Sequence, residues 1–142
     1  MILPDVNVLV YAFRPDSARH EQAREWLGFV VNGLAAYAIS PQVLSSLIRI
    51  TTHPRIFRTP SALAEAIAFC QAVIAPSHCG LVLPGPRHWE IFTRLCTTAR
   101  ATGNMVPDAW FAALAIEAGC EWITTDRDYA RFEELRWRDP LG

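Results

Sequence analysis

Four aspartates carry the chemistry this chain could do: Asp5, Asp108, Asp126 and Asp128. Asp5 heads the apolar run VNVLVYAF, with no basic residue close behind it. A buried carboxylate of that kind is paired, metal-bound or neutralised. Asp108 follows Pro107 in the first turn of an expected helix. Asp126 directly follows the strand-like EWITT, and Asp128 lies two residues on. Converging carboxylates repel one another and raise their pKa values, a penalty that a divalent cation removes. Donor sets made only of oxygen suit Mg²⁺ or Mn²⁺. Such an ion can activate water and stabilise a phosphodiester displacement. The four histidines show no HxH or HxxxH spacing, which speaks against zinc. Plainer readings exist for three of the acids: Asp126 as a helix cap, Asp108 and Asp128 as first-turn acids. Asp5 has none so simple.

The elements that must position these acids alternate. Residues 2–13 read as a first strand, ending near Arg14-Pro15-Asp16. Ala23, Trp26, Leu27, Val30 and Val31 recur at helical spacing until Asn32-Gly33. Residues 34–39 form a short strand. Ser40-Pro41 then pairs an N-cap with proline at the first helical position. Val43, Leu44, Leu47 and Ile48 make that helix's apolar stripe, and His53-Pro54 ends it. Thr59-Pro60 repeats the signal and predicts a helix with Leu63, Ile67, Cys70 and Ile74 inward. Residues 79–83 are strand-like, and 89–101 helical. Pro107 opens a helix with Phe111, Leu114, Ala115 and Ala118 on one face, closed by Gly119. Residues 121–125 form a strand, Asp126 starts a short helix through Phe132, and LRWRDPLG is a short strand or tail. Alternation of this kind predicts an α/β domain over residues 1–142, with a parallel sheet between helices and its site outside the carboxyl ends of the strands. All four acids fall at that edge.

Composition narrows the chemistry. The net charge is −1, so bulk charge does not announce a nucleic-acid partner, yet all thirteen basic residues are arginine. Guanidinium forks suit phosphate. The four cysteines contain no CxxC and read as reduced thiols of a cytoplasmic protein. The N-terminus lacks the basic region of a signal peptide, and no segment reads as a membrane span. A phosphoaspartate mechanism at Asp5 would need a lysine, and the chain has none.

PDVNVLVYAF, HPRIF, VPDAWFAALAIEAGCEWITTDRDYARF and LRWRDPL together resemble the PIN domain, and within it the VapC-type ribonuclease toxins of bacterial toxin–antitoxin pairs. The resemblance implies a three-layer α/β/α sandwich with a mostly parallel central sheet. It implies an acid cluster binding Mg²⁺ or Mn²⁺, and endonucleolytic cleavage of RNA to 5′-phosphate and 3′-hydroxyl ends. A VapB-type antitoxin and a homodimer are the implied partners. Residue by residue, Asp5, Asp108 and Asp126 match the catalytic, metal-binding acids and Asp128 an accessory one. Asn7 and Thr125 match supporting polar positions. The family's second acid falls at Ser46, or at Ser45, and a hydroxyl cannot supply its charge. Either metal binding is weaker, or the chain is an impaired module that binds RNA or antitoxin without cutting. Glu65 and Glu117 are substitutes that no spacing selects. Arg49, Arg55, Arg58, Arg127 and Arg131 are the expected phosphate contacts. Trp110, Tyr129 and Trp137 could stack on unpaired bases. A groove between the second helix and TTHPRIF could receive an antitoxin helix.

Overall fold

The computed structural model describes residues 1–142. Five short strands, β1 (Ile2–Pro4), β2 (Tyr37–Ile39), β3 (Cys79–Leu81), β4 (Glu121–Ile123) and β5 (Trp137–Arg138), alternate with six helices. These are α1 (Val6–Phe13), α2 (His20–Asn32), α3 (Pro41–Thr51), α4 (Leu63–Ile74), α5 (His88–Ala99) and α6 (Met105–Ala118), followed by a 3₁₀ turn at Arg127–Arg131. Every ladder is parallel: β1, β4 and β5 in one sheet, β2 and β3 in another. β1 and β2 lie side by side without a ladder, so the two sheets continue as one layer of an α/β sandwich. Strands covered on both faces are apolar throughout. Leu3, Tyr37, Ala38, Ile39, Trp122 and Ile123 are accordingly buried.

The strand expected over residues 2–13 is in fact a three-residue strand and a helix. Asp5 is the joint. Its N–H donates to Ile123 O at 2.8 Å, the last rung toward β4, and its Oδ1 accepts from Val6 N at 2.6 Å, capping α1. The apolar run misleads because α1 is buried on several sides, at Val8, Leu9, Val10 and Ala12. A helix hydrophobic all round has no period to distinguish it from a buried strand.

Ser40 caps α3 as expected, its Oγ accepting from Val43 N at 3.3 Å. Thr59-Pro60 does not open α4, which starts at Leu63. Leu63 and Ile67 face outward, while Ala66, Cys70 and Val73 are buried. The cause lies in the preceding segment, which other contacts hold out of the helix. Ser61 N donates to Thr51 O at 2.8 Å, and Arg14 Nη1 donates to Thr59 O and Ser61 Oγ, both at 2.9 Å. The ladder of β3 stops at Leu81 rather than residue 83, and that of β4 at Ile123 rather than 125. α6 begins at Met105, two residues before Pro107; proline is tolerated there because first-turn N–H groups have no helical partner. Ala118, expected on its inner face, is exposed.

Arg14 is the buried post of this region. Its Nε and Nη2 donate to Asp16 at 2.9 and 2.6 Å, and its guanidinium lies 4.0 Å from the Phe57 ring centroid. Arg14→Met should therefore cost about 2 kcal/mol, the scale of lost charge-assisted hydrogen bonds, and should loosen residues 52–62 so that trypsin cuts faster after the already exposed Arg55 and Arg58. Limited proteolysis beside urea unfolding checks this. Digestion at the wild-type rate would mean that other contacts hold residues 52–62. All four cysteines are free, and no helix is long and apolar enough to cross a membrane.

Candidate active site

The carboxyl edge of β1 and β4 gathers the acids. Asp5 is 6% exposed. Besides capping α1, its carboxylate accepts Thr124 Oγ1 at 2.7 Å and Asn7 Nδ2 at 3.4 Å, both at Oδ2. Even so, its pKa is pushed up to about 6. Burial is the main cause and the negative charges of Asp108 and Asp126 add to it, outweighing the Thr124 and Val6 hydrogen bonds. No arginine forms an ion pair with Asp5, Asp108 or Asp126.

Thr124 ties the two ends of the chain together. Its fully buried hydroxyl donates to Asp5 and accepts from Asn7 Nδ2 and from Asp126 N, each at 3.1 Å. One side chain thus fixes the β1 acid, the α1 amide and the turn carrying Asp126. Thr125, expected to give polar support, contributes only its backbone, donating to Asn7 Oδ1 at 3.4 Å. The neighbouring threonines in ITTD are alike in type, and the strand's alternation was the one signal that could have separated them.

Asp108 enters from the first turn of α6. Burial raises its pKa first, Asp126 second, with Asp128 adding and Tyr129 and Arg131 opposing. Its Oδ1 accepts the Tyr129 hydroxyl at 3.4 Å. Asp126 caps the 3₁₀ turn by accepting Asp128 N at 2.9 Å. The exposed Asp128 carboxylate stands at the rim, 3.6 Å from Arg131.

Other expected residues lie farther out. Ser46 is half-buried and forms no side-chain hydrogen bond to the acids. Arg49, Arg55 and Arg127 are exposed. Tyr129 is too deeply buried to stack on a base. Trp110 is half-exposed, its indole N–H donating to Gln42 Oε1 at 2.8 Å. Glu117 serves the fold, its carboxylate accepting Gly85 N and Arg87 N at 2.7 and 2.9 Å. Glu65 is exposed on α4.

The PIN domain family model matches residues 2–135. The chain is 40% identical over 136 residues to ribonuclease VapC25 of Mycobacterium tuberculosis, covering 96% of each. It is also 40% identical over 142 residues to ribonuclease VapC31 of the same species, covering 99% of this chain and 100% of that one. The chain belongs to the PIN domain family, among its VapC-type members. Solved structures agree on the fold. VapBC-1 of nontypeable Haemophilus influenzae superposes over the whole of both chains with a TM-score of 0.69 at 17% identity. Mycobacterium tuberculosis VapC20, described as a Sarcin-Ricin loop cleaving toxin, gives 0.65 at 16%, covering 96% of this chain and 99% of that one.

Within this PIN fold the donor set fits a hard divalent cation. Its members are carboxylate oxygens, the donors that Mg²⁺ or Mn²⁺ takes; Asp5, Asp108 and Asp126 form no ion pair, while Arg131 pairs with Asp128 and acts on Asp108 from a distance. As the side chains stand, no three of the His, Cys, Asp and Glu groups are close enough to hold one ion.

Proposed function

We propose that this chain is a metal-dependent endoribonuclease, the toxin half of a type II toxin–antitoxin pair, acting in the cytoplasm as one PIN domain. The observation that carries this reading is the gathering of buried Asp5 with Asp108 and Asp126 at one sheet edge, none of the three in an ion pair, Arg131 acting on Asp108 only at a distance while it pairs with Asp128. Kinship to proteins named ribonucleases supports it.

Asp5, Asp108 and Asp126 would hold the Mg²⁺ or Mn²⁺, with Asp128 beside them. When bound, the ion supplies Lewis-acid charge for water attack on phosphorus and for the departing oxygen. The chain's own work is positional. Val6 N–H, Thr124 and Asn7 fix Asp5, while the Asp128 N–H fixes Asp126. Arg49, Arg55 and Arg127 would meet RNA phosphates from the surrounding surface. A VapB-type antitoxin and a second copy of this chain are the proposed partners. Solved VapBC assemblies among the structural neighbours favour the first.

The test is cleavage of a structured RNA with Mg²⁺ or Mn²⁺ by wild type and by Asp108→Asn. Removing one electrostatic partner of the reaction costs about 100-fold or more in rate. Equal cutting by both preparations would point to a contaminant. Wild type that binds RNA without cutting it would support the impaired-module reading. That reading rests on Ser46 alone, and the ribonuclease kinship weighs against it.

A further inference from the structure

We infer that Tyr129 is a positioning residue, its buried hydroxyl holding the Asp108 carboxylate in the acid cluster for cation binding. The inference rests on the reading of that cluster as a cation site. The three acids are anchored unequally. Asp5 accepts three hydrogen bonds, from Val6, Thr124 and Asn7. Asp126 accepts the Asp128 N–H in a tight turn. Asp108, half-buried on the first turn of α6, accepts one, from Tyr129.

The phenol is more than filler. Tyr129 is 2% exposed, and its ring packs beside Trp122 and Phe132 at centroid distances of 5.6 and 6.1 Å. Phenylalanine would fill that space equally well. A hydroxyl buried there needs a partner, and Asp108 Oδ1 is the one it has. The 3₁₀ turn that carries Asp126 also carries Tyr129, whose N–H donates to Asp126 O at 3.3 Å. One turn therefore presents one acid and anchors another that lies on a different helix. Partners of this kind typically alter metal affinity 10- to 100-fold when removed.

The test titrates Mn²⁺ into wild type and Tyr129→Phe without RNA, following free Mn²⁺ by electron paramagnetic resonance. Thermal unfolding in EDTA runs beside it. The expected result is about 10-fold weaker Mn²⁺ binding by the variant, with the EDTA midpoint nearly unchanged. Equal affinity would overturn the inference. Weaker binding with a sharply lowered EDTA midpoint would make Tyr129 a folding residue and overturn it too. Folded wild type that takes up no Mn²⁺ at millimolar concentration would end the cation reading itself, and the inference with it.

Discussion

Asp5→Asn is expected to make the metal-free protein more stable and the enzyme inactive. The two effects share one cause. The Asp5 pKa is raised from 3.8 to about 6 by burial and by its acidic neighbours. The folded state then binds more protons than the unfolded state between those values, so stability falls as pH rises from about 4 through about 6 and stays low above. A shift of roughly two units corresponds to about 3 kcal/mol, an upper bound for the gain at pH 8. The asparagine still accepts Val6 N–H but cannot accept from Thr124, so a gain of about 1–2 kcal/mol is the expected figure. At pH 3.5, where Asp5 is protonated and the charge penalty is gone, the order should reverse, wild type being the more stable by the lost Thr124 hydrogen bond, about 1 kcal/mol. Saturating Mn²⁺ reverses the order at pH 8, because a ligand at 100 times its Kd adds about 2.7 kcal/mol to wild type alone. Activity should drop about 100-fold or more. Urea titrations at both pH values, with EDTA or Mn²⁺, read all of this. A variant less stable than wild type at pH 8 in EDTA would mean that the hydrogen bonds outweigh the buried charge.

The same residue shows what the sequence made legible. A lone aspartate on an apolar run was visible as an unpaid charge, and so was its convergence with Asp108 and Asp126 at one sheet edge. What the run concealed was the joint. Asp5 ends a strand and caps a helix within one residue, and VNVLVYAF carries no period to reveal the change. Ser40-Pro41 was readable because its cap is local. Thr59-Pro60 carries the same kind of signal, but Arg14, forty-five residues away, and the Thr51 carbonyl hold that stretch out of the helix. The organising role of Thr124 was illegible for the same reason. It depends on Asp5 and Asn7, more than a hundred residues away. Local signals survive translation into structure until a long-range contact competes for the same backbone.

Trp122→Ala is the core substitution with the largest expected cost, and it should damage the site along with the fold. Trp122 is fully buried in β4, stacked on Phe111 at 5.5 Å and beside Tyr129 at 5.6 Å. Phe111 stands three residues after Asp108 on α6, and Tyr129 three residues after Asp126. The indole is thus the spacer between the supports of two acids. Truncating a buried tryptophan costs about 3–5 kcal/mol, and the cavity would let α6 and the 3₁₀ turn shift relative to each other. Mn²⁺ affinity should fall with it. Trp122→Phe is expected to behave differently. The Trp122 Nε1 is buried with no hydrogen-bond partner. An orphaned donor costs about 1–3 kcal/mol, so removing it offsets much of the smaller cavity that phenylalanine leaves. The Phe variant should unfold within about 1 kcal/mol of wild type and keep its Mn²⁺ affinity. A phenylalanine as costly as alanine in urea unfolding would show that the indole N–H is satisfied in solution.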